Sequence, residues 1–333
     1  MQRIPESRHR LMKVTLVVPV RNEARTIKEC AQSIMNQTYK GFEVIFVDGG
    51  STDGTYEFLD RIRRDGQRVK VLSEPGIGPG FGKSLGFKAG KGELLAHIDG
   101  DNIVPCDYLE LCVKKLKDSS VAGVRPGLRF EYEDNLLGKA LRLRRRLLFG
   151  DEPFASEYPT IYRRTVYDRA GGIDPRLIIG EDYDLWVRLQ KAAEELNQSF
   201  VVEKSAVVRN RPKEGRINEI FWHSVWYGSG IISLLTRHPE VGSRFIAEPI
   251  FYPITICLLI AYIFHPTLVF LLLPLVFVLR WGVFFAKRRN RIRSWRELVL
   301  AMFMIPLIRV VESLGSFVGL VKSLASRPKY SQR

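Results

Sequence analysis

The chain has 333 residues, room for one large domain or two ordinary ones, and its 46% hydrophobic and 26% charged residues exclude bulk disorder. Lys and Arg number 51 against 36 Asp and Glu, a formal charge of +15. Residues 246–333 alone hold 12 basic and 3 acidic side chains beside apolar runs, which points to an anionic membrane face rather than to nucleic acid.

The opening residues, MQRIPESRHR, are basic but lead into no apolar signal core. No cleavable signal peptide is expected, and the N-terminal part is expected in the cytoplasm. Residues 1–12 read as an extension. Short β-branched runs then alternate with amphipathic stretches. Strands are expected at 14–19, 43–47, 69–72 and 93–98, and helices at 24–36, 53–64, 81–89 and 105–116. This alternation predicts an α/β fold, a doubly wound, mostly parallel sheet covered on both faces. Ligands of such sheets bind at the carboxyl ends of the strands. Cys30, Cys106, Cys112 and Cys257 have no metal-ligand spacing and are expected as free, buried thiols. The five histidines are scattered, which disfavours a zinc site.

Four segments stand just after the strands. PVRNEA, residues 19–24, replaces the G-x-G-x-x-G of a dinucleotide fold, so an NAD-type dehydrogenase is disfavoured. DGGSTDGT, residues 48–55, offers a tight turn, with Ser51 to Asp53 able to cap the next helix. Asp48, at the strand tip, is placed to accept an N–H from a nucleobase. GIGPGFGKS, residues 76–84, ends like a phosphate loop, but the Gly that loop needs five positions before Gly82 is Ile77. A flexible flap is expected instead, with Lys83 beginning a helix and facing a nucleotide. HIDGDN, residues 97–102, carries Asp99 and Asp101 two residues apart, an arrangement that suits a hard divalent cation bridging diphosphate oxygens.

Later in the chain come Gly171-Gly172-Ile173-Asp174 and GEDYDLWVRL, residues 180–189. Leu185, Trp186 and Leu189 fit a buried helix face, with Glu181 and Asp182 at its N-terminus facing the cleft. As plain helix capping these acids would contribute under about 1 kcal/mol. As chemistry, a carboxylate so placed can serve as a general base.

In this order and spacing, the segments resemble family 2 glycosyltransferases of the GT-A fold over roughly residues 12–240. The form of the second motif and the apolar C-terminus look most like membrane-attached transferases of succinoglycan-type exopolysaccharide synthesis and their archaeal relatives. The resemblance implies that Pro19, Val20, Asn22 and Glu23 line the nucleoside pocket and that Asp48 contacts the base. It puts Lys83 where the family often has an Arg near the nucleotide. Asp99 and Gly100 would lie by the ribose and diphosphate, and Asp101, with Asp99, would hold Mn2+ or Mg2+. Asp182 would be the base, with Glu181 the alternative. Where the family usually has a second acid after Asp48, this chain has Gly49, which leaves the base of the donor open.

Between these motifs runs LRLRRRLL, residues 141–148. It reads as a solvated face, or as Arg144, Arg145 and Arg146 lying against headgroups or a lipid-linked phosphate near the acceptor. Trp222 and Trp226, at i and i+4, suit an interfacial helix over 216–245, or packing on the catalytic part. Residues 249–279 lack Asp, Glu, Lys and Arg over 31 positions, about 46 Å as one helix against a ~30 Å hydrocarbon core. His265-Pro266 is a natural break, so 246–286 reads as a membrane hairpin. The basic loop 287–297 would be cytoplasmic. The last segment, 298–333, reads as a third span or an interfacial helix followed by a basic tail.

The expected catalytic domain is 13–215, on the cytoplasmic face of a multi-pass cell-membrane protein. Its expected activity is inverting, metal-dependent transfer from a nucleotide-diphosphate sugar to a lipid-linked, polyprenyl-type glycan acceptor. The alternative is a polyprenyl (dolichyl) phosphate sugar synthase. A processive synthase lacks its Q-x-x-R-W motif here, and an inactive nucleotide-binding scaffold would not keep Asp48, Asp99, Asp101 and Asp182. Membrane lipids are expected partners, nucleic acid is not, and nothing in the sequence indicates an oligomeric state.

Overall fold

The computed structural model describes residues 11–65, 68–75, 78–212, 214–241, 250–251, 253–258, 260–261, 264 and 272–325. The chain divides into two compact units: residues 1–128, 153–176 and 181–209, and residues 129–152, 177–180 and 210–333.

The first unit is built on β1 (Val14–Val20), β2 (Phe42–Asp48), β3 (Val69–Ser73) and β4 (Leu94–His97), with α1 (Ile27–Met35), α2 (Thr55–Asp65), α3 (Pro79–Ala89) and α4 (Tyr108–Leu116). These are the elements expected from the alternating pattern. Later come β5 (Asn102–Ile103), β6 (Val121–Phe130), β7 (Phe154–Ala155), β8 (Ile161–Arg163), α6 (Arg164–Arg169), α7 (Glu181–Glu195) and β9 (Ser199–Asn210). The sheet order is β3-β2-β1-β4-β8-β6-β9-β5, with β7 on β6. The first four strands are parallel, whereas β8 runs antiparallel to both β4 and β6. Gly123, Pro126 and Gly127 hide β6 from a propensity reading.

Period-2 alternation splits the core between the faces of the sheet. Leu16 and Val18 of β1 and Val44 and Phe46 of β2 pack with α1, α2 and α4. Val17, Ile45 and Val47 pack with Phe87, Tyr167, Leu185 and Leu189 of α3, α6 and α7. At Gly86 a Cβ would meet Val17 Cγ1 at 2.4 Å, so α3 lies directly on β1 only because that side chain is missing. Cys30 and Cys112 are buried as expected, but Cys106 and Cys257 are exposed.

The second unit holds α5 (Leu136–Phe149), α8 (Ile217–Arg237), α9 (Leu272–Ala286) and α10 (Trp295–Ala325). Leu137, Leu141, Leu143 and Leu147 of α5 pack with Ile220, Ala301, Ile305 and Ile308 of α8 and α10. The basic run on α5 is therefore not a solvated face. Arg144 pairs with Glu312 at 2.8 Å, Arg146 pairs with Glu297, and Arg145 lies 3.7 Å over the Phe130 ring. Between α8 and α10 the backbones touch. A Cβ at Gly228 would sit 2.0 Å from the Ser316 carbonyl oxygen, and one at Gly319 2.0 Å from that of Val225. Gly315 and Gly319 on α10 face Ser224 and Gly228 on α8, the small-residue spacing typical of helix pairs in lipid. The two tryptophans of α8 do not share one exposed face. Trp222 is 59% exposed, with Lys322 over its ring, whereas Trp226 is half-buried beside His223.

Among the described residues α10 is the one helix long and apolar enough to cross a membrane. It runs unbroken through Pro306 over 31 residues, about 46 Å. Val299, Met302, Phe303, Leu307 and Val321 are exposed along it, as are Leu275, Val276, Val278, Leu279 and Val283 on α9. The expected first arm of the hairpin is described only in part, and His265 and Pro266 lie outside the described residues.

Candidate active site

The loops after β1 and β2 are stapled together. Asn22, at a left-handed φ of 55°, donates its N–H to Ser51 Oγ at 2.9 Å, and its Oδ1 accepts the Thr52 N–H at 2.9 Å. Ala24 N–H donates to Asp53 Oδ2 and Glu23 N–H to Thr55 Oγ1, at 3.0 and 2.8 Å. The Val20 carbonyl accepts the Gly49 N–H at 2.9 Å. Of the expected capping residues, Asp53 caps α2, accepting the Thr55 N–H at 3.1 Å, while Ser51 holds Asn22. Val20 and Asn22 thus frame the loops through the backbone and one amide.

Asp48 is buried at the end of β2. Its Oδ2 accepts the N–H groups of Gly50 and Ser51 at 3.1 Å each, while its buried Oδ1 has no partner among the described residues. Such an oxygen is a demand for a donor from outside the protein. Glu23 is buried too, and a Cβ on Gly100 would come within 3.0 Å of its Cγ, so the turn after β4 passes directly against it. Pro19 is likewise met by α3, where a Cβ on Gly82 would lie 3.0 Å away.

The expected flap is corrected in its described part. The helix begins at Pro79, ahead of Lys83, and Gly80 and Gly82 are packed against Glu181 and Pro19; Gly76 and Ile77 lie outside the described residues. Lys83 is 1% exposed, and its Nζ lies 2.9 and 3.0 Å from the two oxygens of Asp182 and 3.2 Å from Glu181 Oε1. Asp99 Oδ1 is 3.9 Å away. Three carboxylates thus surround one buried ammonium. Burial opposes its charge, but Asp182, Glu181 and Asp99 outweigh that and hold Lys83 protonated well above the ordinary lysine range.

The two acids of α7 are driven apart by their settings. Glu181 is 8% exposed, and burial pushes its carboxyl up to about 7 against the pull of Lys83. Asp182 is 31% exposed; burial works against its charge, but Lys83 and His97 hold its carboxyl below the usual range. The buried His97 is kept neutral, its imidazole pushed down to about 4 by burial and by Lys83. Its Nε2 lies 3.9 Å from Asp182 Oδ1, while its Nδ1 and the nearby buried Tyr162 hydroxyl have no partner among the described residues. Sequence reasoning gave neither His97 nor Tyr162 a role. His97 stands inside a quoted motif; nothing in the sequence marks Tyr162.

Asp99 and Asp101 sit on the turn after β4, closed by the Asn102 N–H to the Asp99 carbonyl at 2.9 Å. The Asp99 side chain is 49% exposed. Burial raises the Cys30 thiol's pKa, and the charges of Asp101, Glu23 and Asp99 raise it further. Among the described residues no cluster of three metal-ligating side chains exists. Two carboxylates with one accessible side suit a hard cation whose remaining ligands are ligand oxygens and water.

The family model for glycosyl transferase family 2 matches residues 15–171. The glycosyltransferase GlyG of Streptococcus pneumoniae serotype 4 is 32% identical over 123 residues, 37% of this chain and 40% of that protein. Chondroitin synthase of Pasteurella multocida is 33% identical over 117 residues, 35% of this chain and 12% of that protein. The chain thus matches less than half the length of these curated relatives. A solved structure of the mannosyltransferase PcManGT from Pyrobaculum calidifontis, in complex with GDP-Man and Mn2+, aligns with a TM-score of 0.60 at 19% identity. That alignment covers 95% of this chain and 88% of the other, and at this identity it speaks for the fold. Motif order, sheet topology and both kinds of likeness point the same way: residues 15–171 match the glycosyl transferase family 2 model, and the fold is of the GT-A type.

Proposed function

We propose that the protein is an inverting, metal-dependent glycosyltransferase. It moves one sugar from a nucleotide-diphosphate donor to a lipid-linked glycan acceptor at the cytoplasmic face of a membrane. The observation that carries this reading is the pairing of Asp182 with Lys83: a partly exposed carboxylate, held ionised by a buried cation, beside the half-exposed Asp99.

In this mechanism Asp48 Oδ1 takes an N–H of the base, and Pro19 and Glu23 bound the nucleoside. Asp101 and Asp99 would hold Mn2+ or Mg2+, which would supply charge neutralisation for the departing diphosphate. Asp182 takes the proton of the acceptor hydroxyl as that oxygen bonds to C1, while the C1–O bond to the diphosphate breaks and the nucleotide diphosphate leaves. Lys83 is shared. A diphosphate arriving near Asp99 competes for its ammonium, and an Asp182 relieved of Lys83 binds a proton more tightly, as a base must. Glu181 is the second candidate base, favoured by a carboxyl near 7 but disfavoured by its burial.

Membrane attachment is proposed through α10, with the basic loop 287–297 on the cytoplasmic side; the exposed apolar residues of α9 and α10 support it. The proposed catalytic domain is 13–215. A polyprenyl phosphate acceptor remains the rival, because a phosphate needs no base. Turnover of Asp182→Asn with a nucleotide-sugar donor separates the two. A loss of about 10²-fold or more supports the hydroxyl acceptor and Asp182 as base. Turnover near wild type sinks that assignment and favours the lipid phosphate.

A further inference from the structure

Where α9 ends, an open cleft of about 260 Å³ is lined by Leu148, Lys287, Arg288, Asn290 and Arg291. Three cations converge there with no carboxylate among them. Arg291 donates to the Leu147 carbonyl at 2.9 Å, and Arg288 lies 4.3 Å over the Phe284 ring. Both guanidinium groups are thereby held in place, and among the described residues neither has a carboxylate partner. Lys287 is exposed. Two acids of this region are engaged elsewhere: Asp151 pairs with Arg293 at 2.9 Å, and Glu297 with Arg146. Like charges held together without a counter-ion repel one another, and a bound anion removes that repulsion. Held guanidinium forks beside an exposed ammonium suit phosphate oxygens.

The setting indicates what carries the phosphate. Immediately before the cleft, Val276, Leu279 and Val283 of α9 are exposed, and Trp295 just beyond it is exposed as well. An apolar helix leading to a basic cleft flanked by an aromatic side chain is the profile of a headgroup-level site. We propose that this cleft binds the phosphate of a membrane lipid, with the acyl or prenyl chain lying along α9. The assignment rests on the membrane reading of α9 and α10, but not on the glycosyl transfer chemistry.

The test uses the full chain in neutral detergent and follows thermal unfolding with dioctanoyl phosphatidate, dioctanoyl phosphatidylcholine and inorganic phosphate. Ligands that bind the native state raise its Tm. Phosphatidate should give a saturable rise, and the other two little. K287Q/R288Q should weaken phosphatidate binding about tenfold or more, as expected for loss of charge-assisted contacts. R289Q removes a neighbouring charge outside the cleft and should leave affinity within about twofold. Unchanged binding in K287Q/R288Q overturns the proposal, and so does an equal loss in R289Q, which would mark a diffuse field. Inorganic phosphate binding as tightly as phosphatidate overturns the lipid assignment. Unaltered nucleotide-diphosphate binding by K287Q/R288Q confirms that the variant is folded. Release of the protein from membranes by salt alone would defeat the membrane reading separately.

Discussion

The acids of the site were visible in the sequence as motif residues; the arrangement that gives them meaning was not. Lys83 and Asp182 are 99 positions apart, and no local pattern pairs them. With Lys83 removed, Asp182 and Glu181 face each other without the cation between them. Lys83→Gln should therefore lower stability by about 3–5 kcal/mol, the usual result of breaking a buried pair, as read by urea unfolding. It should also lower kcat beyond any change in donor KM. Glu181 carries a different signature. Its folded carboxyl is raised to about 7, above the unfolded range near 4.3. Between those values the folded state keeps a proton that the unfolded state has lost, so its contribution to stability is present at low pH and lost as pH rises through this window. Relative to wild type, Glu181→Gln should gain stability from about pH 4.5 to 7. A parallel pH dependence in the two proteins would show that Glu181 is not raised.

At the scale of elements, the first four strands and the helices between them were legible because β1, β2 and β4 are almost wholly buried and mostly apolar, and because β3, part-exposed with Lys70, still carries Val69, Val71 and Leu72. Misreadings came where glycine does structural work. The glycine-rich stretch taken for a flap is partly a packed helix, since its missing side chains admit Pro19 and Glu181 rather than mobility. The same physics governs α8 and α10. Gly319→Leu should force the two helices apart and lower Tm in detergent by several degrees, about 2 kcal/mol or more of overpacking. A Cβ on Gly282 of α9 would meet nothing within 4 Å among the described residues, so Gly282→Leu should be neutral, or stabilising by up to about 1 kcal/mol from helix propensity. Equal effects from the two substitutions would refute the close contact.

At the scale of the molecule, composition separated an apolar, basic C-terminal third from the rest, and the structure places α8, α9 and α10 in the second unit. What composition could not reveal is that α5, from the middle of the chain, is part of it. Its leucines are covered by α10, and Arg144 and Arg146 are neutralised by Glu312 and Glu297 of that helix. This bears on shortening the protein. Ending the chain near residue 244 discards an apolar helix and invites the expectation of a better-behaved fragment. Yet the cut also strips the cover from Leu143 and Leu147, bares the face of α8 around Gly228, and leaves two arginines without counter-charges. Such a fragment should self-associate in light scattering and elute with polyanions on ion exchange. A monodisperse, clean fragment would show that α5 and α8 do not need α10. The C-terminal helix is then less an appendage than a lid on the middle of the chain, and solubility is better sought by rewriting its outer face, at Val299, Phe303 and Leu307, than by removing it.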